Sequence, residues 1–388
     1  MSHTVEWSSL THAYGTAEDV PRNIAALRSA DADVRYEALG ELFGSIVHQG
    51  TRYPASAYAV PLLFDLLADP SVPDRAFVGQ LLAMIAIGGD EAWLPETLPI
   101  EDLRLEAIGG EDAMNRVLRS GWDGLSIDEQ AKVDALAEES AYDAVAAGLP
   151  LLRSLAAAPT GADDGVALVA AYAIGWFPHV DPEASTRALE ALAAAGDEPE
   201  AAVAVVAAGL LGAAGSERLA RWALDDRRPV VRWAGAIASA KLHGPAAGER
   251  VAGELLHWAG GGSAPDVRMP YLDGDLAGYA ALALRQLGPA HDTAAFNAFL
   301  ARLPQVQASP ALTIAGEALR LACPHGPLHD GTSFSALDER QQRLAQVLAA
   351  APGPWLWDGD QFGNFSMLLG EYGFPDSHDA MRGYVSPR

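Results

Sequence analysis

The sequence predicts an all-α protein in which helix pairs stack side by side, an α-α superhelix of about eight pairs over 388 residues. Half of the residues are hydrophobic but only 7% are aromatic, and alanine-rich runs recur at 191–195 and 201–208. Alanine has the highest helix propensity, and its small side chain lets helices approach closely. Alternation of polar and β-branched residues, which is the pattern of a half-buried strand, is hard to find anywhere. We therefore expect little or no sheet.

An internal repeat is the third observation behind this prediction. Pro61-Leu62-Leu63 matches Pro150-Leu151-Leu152 at an offset of 89 residues. This offset is about two units of the 40–47 residues found in one class of helical array. The match extends on both sides through Tyr53 and Tyr142, Ala55 and Ala144, Leu66 and Leu155, Ala68 and Ala157, Pro70 and Pro159, Asp74 and Asp163, and Ile85 and Ile174.

Each matched block predicts a first helix, a turn and a second helix. In the first block, Pro70 cannot continue the helix, and Gly88-Gly89 closes the second helix. Pro61 and Pro150 are predicted to lie inside the first helices of their blocks, where a proline removes a hydrogen bond and bends the helix. The apolar residues at helical spacing are Tyr58, Leu62, Leu66 and Leu67 in the first helix, then Val78, Leu81, Leu82 and Ile85 in the second.

Further helices are predicted from cap signals and apolar stripes. Asp31 precedes a helix that extends to His48, and Asp181 forms an N-cap before Pro182 at the first helical position. Residues 227–242 and 275–287 predict second helices of additional units, since their apolar residues recur at helical spacing.

Two of these helix starts resemble HEAT repeats, with Asp-Ala-Asp-Val-Arg at 31–35 and Asp-Arg-Arg-Pro-Val-Val-Arg at 226–232. His-Ala-Tyr-Gly at 12–15 and His-Gln-Gly-Thr-Arg-Tyr at 48–53 resemble a largely uncharacterised group of bacterial HEAT-repeat proteins. The resemblance covers most of residues 5–325 and implies a HEAT-like solenoid at 1–325 with an irregular insertion at 90–130. Residues 326–388 are expected to form a C-terminal helix and an aromatic-rich cap, because terminal repeats must cover an open core.

The formal charge of −25 at pH 7 restricts the class of partner. It repels polyanions at long range, which disfavours nucleic acid and an anionic membrane, whereas a basic partner is attracted. The alternative interpretation is that the acidic surface only keeps an alanine-rich protein soluble. Residues 1–30 lack the basic start and apolar run of a signal peptide, and no stretch reaches about 18 uninterrupted apolar residues. With Cys323 as the single cysteine, we expect a cytoplasmic protein without a disulfide or a membrane partner.

The first candidate site is the polar segment 48–53, at the junction of two helical units. His48 could act as an acid or base near neutral pH, Arg52 could bind an anion, and Tyr53 could donate a hydrogen bond beside it. The alternative interpretation is structural. His48 would then cap its helix, and Tyr53 would fill the next interface, because Tyr142 repeats it at the 89-residue offset.

Two further candidate sets lie in the second half of the chain. Arg228, Arg232 and Trp233 belong to a locally basic stretch whose composition is typical of a protein hot spot or a nucleic-acid surface. These arginines could instead pair with neighbouring Asp and Glu residues. Asp273 and Asp275 flank a glycine and could bind a cation or carry out acid–base chemistry, although helix caps and turns also use such residues.

We predict no metal site, no cofactor and no catalytic residue. Cys323, His325 and His329 are metal-ligand types, but their spacing matches no zinc motif, and the prolines around them indicate a turn. The predicted function is a scaffold that binds a protein or peptide, with a basic partner favoured by charge, in the groove of the helical array. The alternatives are an enzyme with a substrate in that groove, an acidic immunity or inhibitor protein, and a HEAT-like DNA-lesion-binding protein.

Overall fold

The computed structural model describes residues 5–158, 165–262, 267 and 269–386. Over these residues the chain is all-α, as the sequence predicts, and contains twenty α-helices and only two short hairpins. In the same ranges, no helix is both long enough and apolar enough to cross a membrane. The hairpins pair β1 (Thr11–His12) with β2 (Gly15–Thr16) and β3 (Leu356–Trp357) with β4 (Asp360–Gln361).

The chain divides into two compact units, Met1–Leu219 and Ala220–Arg388. The division predicted after residue 325 concerns the extent of the repeats and stays a prediction. The helices of the first unit are α1 (Val20–Ala26), α2 (Ala32–Ile46), α3 (Pro54–Ala68), α4 (Arg75–Ile87), α5 (Ile100–Ala107), α6 (Glu111–Ser120), α7 (Ile127–Ala147), α8 (Leu149–Ala157), α9 (Val166–Ile174), α10 (Pro182–Ala195) and α11 (Glu198–Leu211); α12 (Ser216–Leu224) contains the boundary.

Helices that follow one another in the first unit pack as pairs, and each pair packs against the next. The pairs are α1 with α2, α3 with α4, α8 with α9 and α10 with α11. The predicted caps form as expected. The Asp31 side chain accepts a hydrogen bond from the Asp33 amide at 3.0 Å, and the Asp181 side chain accepts one from the Ala184 amide at 3.2 Å.

The 89-residue offset relates two helix pairs that are direct neighbours, because α4 packs against α9 and α3 packs against α7. The interpretation of the offset as two repeat units is therefore wrong. The extra length is the segment 90–130, which is not irregular throughout, since α5 and α6 lie within it and both pack on α7. Two residues of the predicted match, Pro159 and Asp163, lie outside the described residues.

The two matched prolines occupy different positions in their helices. Pro61 lies inside α3, as predicted. Pro150 does not lie in a helix interior, because α7 ends at Ala147 and Pro150 falls in the first turn of the next helix, α8. A side chain at position 148 would overlap the ring of Phe64 on α3. Glycine at 148 therefore permits the close approach of α3 to the α7–α8 junction.

The alanine-rich helix α11 shows how the core of the first unit is built. Every residue from 201 to 211 is buried, which is expected of a helix that is apolar on all sides. Helices α9 and α10 pack against it. A Cβ atom at Gly175 would lie only 3.0 Å from the Cα atom of Ala207, so small residues set the spacing between helices at this point.

The region predicted to be a cap, near the C-terminus of the second unit, contains a group of packed aromatic residues. The Trp355 indole donates a hydrogen bond to the Leu348 carbonyl at 3.0 Å and contacts the Phe365 ring edge-to-face at 5.1 Å. Phe362 and Phe374 are also buried. The helices that lie wholly in this unit are α13 (Pro229–His243), α14 (Glu249–Ala259), α15 (Leu276–Leu284), α16 (Asp292–Arg302), α17 (Ala308–Ala322), α18 (Glu339–Ala350), α19 (Gly363–Glu371) and α20 (His378–Val385).

Candidate functional site

The candidate segment 48–53 lies in the first unit, between α2 and α3. It begins with a 3₁₀ turn at His48–Gly50. The Ser56 hydroxyl accepts a hydrogen bond from the Tyr53 amide at 2.8 Å and donates one to the Ile46 carbonyl at 2.6 Å. This buried serine therefore ties the end of α2 to the start of α3 and fixes the position of Tyr53.

Arg52 is buried and has its own carboxylate partner. Its side chain is 3% exposed, and its Nη2 atom donates a hydrogen bond to the Glu138 carboxylate at 2.8 Å. Its Nη1 atom donates to the Gly50 carbonyl, and a Cβ atom at Gly88 would clash with Nη1. Burial lowers the pKa of Arg52, while Glu138 opposes this shift. The guanidinium is therefore not presented to an external anion, which corrects the role expected for Arg52.

Tyr14 and His48 come together from distant parts of the sequence. The Tyr14 hydroxyl lies 3.3 Å from Nδ1 of His48, and their rings meet edge-to-face at 5.4 Å. The hairpin that carries Tyr14 is fixed by His12, whose Nδ1 atom accepts from the Tyr14 amide at 3.0 Å and whose Nε2 atom lies 2.9 Å from Asp19. Because Nδ1 accepts, the proton of the neutral His12 ring is on Nε2. Tyr14 is nevertheless 72% exposed, so its ring is available to a partner.

Carboxylates outnumber cations around Arg52. Asp134 and Glu138 are four residues apart on α7, which places them on the same helical face. Burial raises the pKa of Glu138; the attraction of Arg52 opposes the rise, whereas Asp134 and Glu106 add to it. Asp134 is exposed, but the neighbouring chain removes part of the water around its carboxylate, and this partial desolvation raises its pKa as well. Arg52 thus pairs with Glu138, while Asp134 and Glu106 add negative charge near that carboxylate, so this surface keeps an excess of negative charge.

Tyr53 connects the carboxylates to the aromatic residues. Burial raises the pKa of its hydroxyl, and the nearby Asp134 and Tyr14 raise it further. We call this group of side chains the acid–aromatic cluster, and define it as Tyr14, His48, Arg52, Tyr53, Asp134 and Glu138.

Sequence reasoning found half of this cluster. It identified His48, Arg52 and Tyr53 from their turn-forming context but did not assign Tyr14 to a site. The spacing of Asp134 and Glu138 predicts a shared helical face, but no local signal connects that face with Arg52. Tyr142, the repeat of Tyr53, is fully buried and donates to the Trp176 carbonyl at 2.9 Å, so the two matched tyrosines have different surroundings.

In the second unit, Trp233 is fully buried rather than exposed, which corrects its assignment to a binding surface. Its indole donates to the Leu276 carbonyl at 3.0 Å. Arg228 pairs with Asp226 through Nε at 3.0 Å and Nη2 at 2.9 Å, and Arg232 donates to the carbonyls of residues 226 and 227. The alternative interpretation, pairing with neighbouring Asp and Glu residues, thus describes Arg228. Arg232 bonds to backbone carbonyls, and its Nε atom lies 3.9 Å from a carboxylate oxygen of Glu254.

Asp273 and Asp275 have different surroundings. Asp273 is exposed and has a left-handed backbone conformation, with φ of 52°. Asp275 forms the N-cap of α15, because its Oδ1 atom accepts from the Gly278 amide at 2.9 Å. Burial raises the pKa of Asp275, and within the described residues its Oδ2 atom has no hydrogen-bond partner. Helix capping therefore accounts for one of the two carboxylates.

The Cys323, His325 and His329 side chains differ in exposure. Cys323 is buried, and burial together with Asp338 raises the pKa of its thiol to about 11, whereas both histidines are exposed. Across the described ranges, no group of three or more His, Cys, Asp or Glu side chains is arranged to hold a metal ion.

The negative charge of the chain is concentrated in the first unit. Residues 1–219 contain 12 Lys and Arg against 34 Asp and Glu, a formal charge of −22. Residues 220–388 contain 14 against 17, a formal charge of −3. The acid–aromatic cluster therefore lies on the unit that carries nearly all of the excess charge.

The chain matches no family model and no curated protein. Among solved structures it is similar to one described as an engineered protein, at 19% identity over 94% of this chain and 89% of that chain, with a TM-score of 0.33. A likeness at this level carries no argument about fold or function.

Proposed function

We propose that this chain is a HEAT-type helical-repeat protein that binds a basic protein or peptide on its first unit. The observation that carries the proposal is the acid–aromatic cluster, in which carboxylates exceed cations beside the exposed ring of Tyr14. An acidic inhibitor of a basic partner is a special case of this function. The proposal includes the cytoplasmic location expected from the sequence.

The chemistry of the cluster favours a cationic ligand. A lysine or arginine side chain can pair with Asp134 and lie against the ring of Tyr14, and aromatic faces attract cations within about 6 Å of the ring centre. Arg52 neutralises part of Glu138 but, being buried, does not shield Asp134 from a ligand. Glu138 is thus held in place before a partner arrives, which lowers the entropy lost on binding.

The charge of the first unit supports the same partner at longer range. A formal charge of −22 attracts a basic molecule over distances of about 8 Å at physiological ionic strength, and over longer distances when salt is reduced. Such attraction raises the association rate more than it slows dissociation. We therefore expect affinity for a basic partner to fall steeply as salt is added.

The test is the binding of fluorescein-labelled oligolysine, measured by fluorescence anisotropy, with oligoglutamate as the charge-reversed probe. We expect the wild-type chain to prefer oligolysine, and Asp134→Asn or Tyr14→Ala to weaken binding by about fivefold or more. Asp65→Asn is the matched control, because it removes one exposed carboxylate from α3, outside the cluster. Equal losses in Asp134→Asn and Asp65→Asn would show that only net charge matters and would contradict the proposed site.

A second candidate function is acid–base catalysis at the same cluster. The raised pKa values of Asp134 and Glu138 and the Tyr14–His48 hydrogen bond favour it, because perturbed carboxylates beside a histidine occur often in active sites. Binding of oligolysine to the His48→Gln variant distinguishes the two functions. A binding protein retains most of its affinity in this variant, since His48 adds no negative charge. If the wild-type chain chemically converts a bound peptide and the His48→Gln variant does not, the result would instead support catalysis.

A further inference from the structure

The turn between α12 and α13 carries a rigid arginine–tryptophan surface that the proposed function does not use. The Asp226 carboxylate accepts hydrogen bonds from the Arg228 amide at 2.8 Å and from the Arg228 guanidinium, while Arg232 donates to the carbonyls of 226 and 227. The turn is therefore fixed from both sides.

Trp222 lies on this surface and remains 40% exposed. The Arg228 guanidinium stacks over its ring at 5.9 Å from the centroid. Because Asp226 holds Arg228 and Arg228 covers Trp222, the indole is held with part of its surface in water. A fixed, partly exposed tryptophan beside arginine is the composition of residues that dominate binding energy at protein interfaces.

Two arginines next to this pair in the sequence have open hydrogen-bonding capacity, Arg221 before Trp222 on α12 and Arg227 before Arg228 in the turn. Arg221 and Arg227 are exposed, and in the part of the chain that the structure describes neither side chain has a partner. The neighbouring carboxylates are already engaged, since Asp225 pairs with Arg250 at 2.8 Å and Asp226 pairs with Arg228. The surface therefore offers positive charge on a chain that is acidic overall.

We propose that this surface, defined as Arg221, Trp222, Arg227 and Arg228, binds an acidic peptide segment of another protein. Arginine forks match carboxylates in two-point hydrogen bonds, and Trp222 offers an apolar face beside them. Two open arginines flanked by engaged carboxylates are too few for a polyphosphate chain, whose binding relies on many simultaneous charge contacts. Charge complementarity thus favours a short acidic segment over nucleic acid.

The experiment measures binding of fluorescein-labelled oligoglutamate to the full chain by anisotropy, with oligothymidylate as the second probe. Salt near 0.15 M is suitable, since screening over about 8 Å reduces the long-range repulsion by the acidic first unit. We expect oligoglutamate to bind, and Trp222→Ala and Arg227→Glu each to weaken it by about fivefold or more. Trp357→Ala is the matched control, because Trp357 is an exposed tryptophan elsewhere in the second unit, and it leaves binding unchanged.

Arg227→Glu changes only an exposed side chain, so it tests the surface even if Trp222→Ala perturbs the fold. Two results overturn the inference. In the first, neither variant changes the affinity for oligoglutamate. In the second, oligothymidylate binds more tightly than oligoglutamate, and both variants weaken its binding. Neither result bears on oligolysine binding by the first unit, so this inference and the proposed function fail separately.

Discussion

Arg52 and Glu138, 86 residues apart in the sequence, form an ion pair of 2.8 Å in which the arginine side chain is only 3% exposed. The pair joins the turn before α3 to the middle of α7. It therefore connects the two matched blocks of the internal repeat at the point where the acid–aromatic cluster lies.

Removal of Arg52 should destabilise the first unit strongly. Arg52→Met leaves Glu138 without its cation in a partly buried position, and we expect a loss of about 2–4 kcal/mol in the free energy of unfolding. Arg28→Met is the control, because Arg28 pairs with Asp69 on the surface and should contribute less than about 1 kcal/mol. Urea unfolding followed by circular dichroism measures both. Equal losses in the two variants would mean that burial of Arg52 adds nothing.

Gly88 lies beside Arg52 and should be required both for its backbone conformation and because a side chain at this position would clash with Arg52. Gly212, with φ 62° and ψ 20°, is in the left-handed helical region, where alanine costs about 1–2 kcal/mol, whereas Gly88, with φ 79° and ψ −82°, lies outside the regions that alanine adopts. At Gly88 the added Cβ atom also clashes with Arg52 and with the Gly50 carbonyl, whereas at Gly212 nothing lies within 4 Å. We expect Gly88→Ala to cost at least about 1 kcal/mol more than Gly212→Ala in urea unfolding. Similar costs would contradict the contact.

The carboxylates of the cluster should make stability depend on pH. The pKa values of Asp134 and Glu138 are raised above their ordinary 3.8 and 4.5, so the folded chain binds more protons than the unfolded chain in that range. Their contribution to stability is therefore greatest below the ordinary values, and it falls as pH rises through the raised ones. The pKa values of Asp69 and Glu129 are lowered to about 2, so the contribution of these two groups to stability is instead lost as pH falls toward that value.

Asp134→Asn isolates this effect, because the Asp69 and Glu129 contributions are the same in both proteins. The variant should show a smaller loss of unfolding free energy between about pH 4 and pH 7, since it lacks one raised group. It should also lower the pKa of Glu138, because repulsion by Asp134 contributes to its rise. Urea unfolding across this pH range and carboxyl NMR titration measure the two effects. An unchanged pKa of Glu138 would rule out the coupling.

Tyr142→Phe should destabilise the protein although it removes only one oxygen atom. The buried hydroxyl donates to the Trp176 carbonyl at 2.9 Å, and its loss leaves that carbonyl without this donor. We expect a cost of about 1–2 kcal/mol by thermal or urea unfolding. Tyr58→Phe, at a site 48% exposed on α3, serves as the control and should change stability by less than about 0.5 kcal/mol.

Local features of the fold could be predicted from the sequence because their causes are local. The caps at Asp31 and Asp181, the turn at Pro70 and the helix at 275–287 depend on residues within a few positions of each other. The 89-residue match was also informative, but its meaning depended on the packing of α5 and α6. Sequence spacing alone cannot distinguish two repeats from one repeat with a helical insertion.

The candidate site could be predicted only in part, because burial is decided by distant elements. Arg52 has polar sequence neighbours and Trp233 follows Arg232 in a locally basic stretch, so both resemble surface residues. Glu138 of α7 nevertheless pairs with the first, and α15 receives a hydrogen bond from the second. The β1–β2 hairpin brings Tyr14 to His48, and its strands of two residues each are too short to show a hydrophobic periodicity in the sequence. These contacts depend on tertiary packing rather than on local propensity.

Amide hydrogen exchange of the full chain, with and without oligolysine, tests the proposed function most directly. If the acid–aromatic cluster binds the basic ligand, exchange should slow in residues 48–56 and 131–139 and stay unchanged in α14 and α15 of the second unit. The Asp134→Asn variant should lose this protection. Protection confined to the second unit, or spread evenly over the chain, would contradict binding at the cluster.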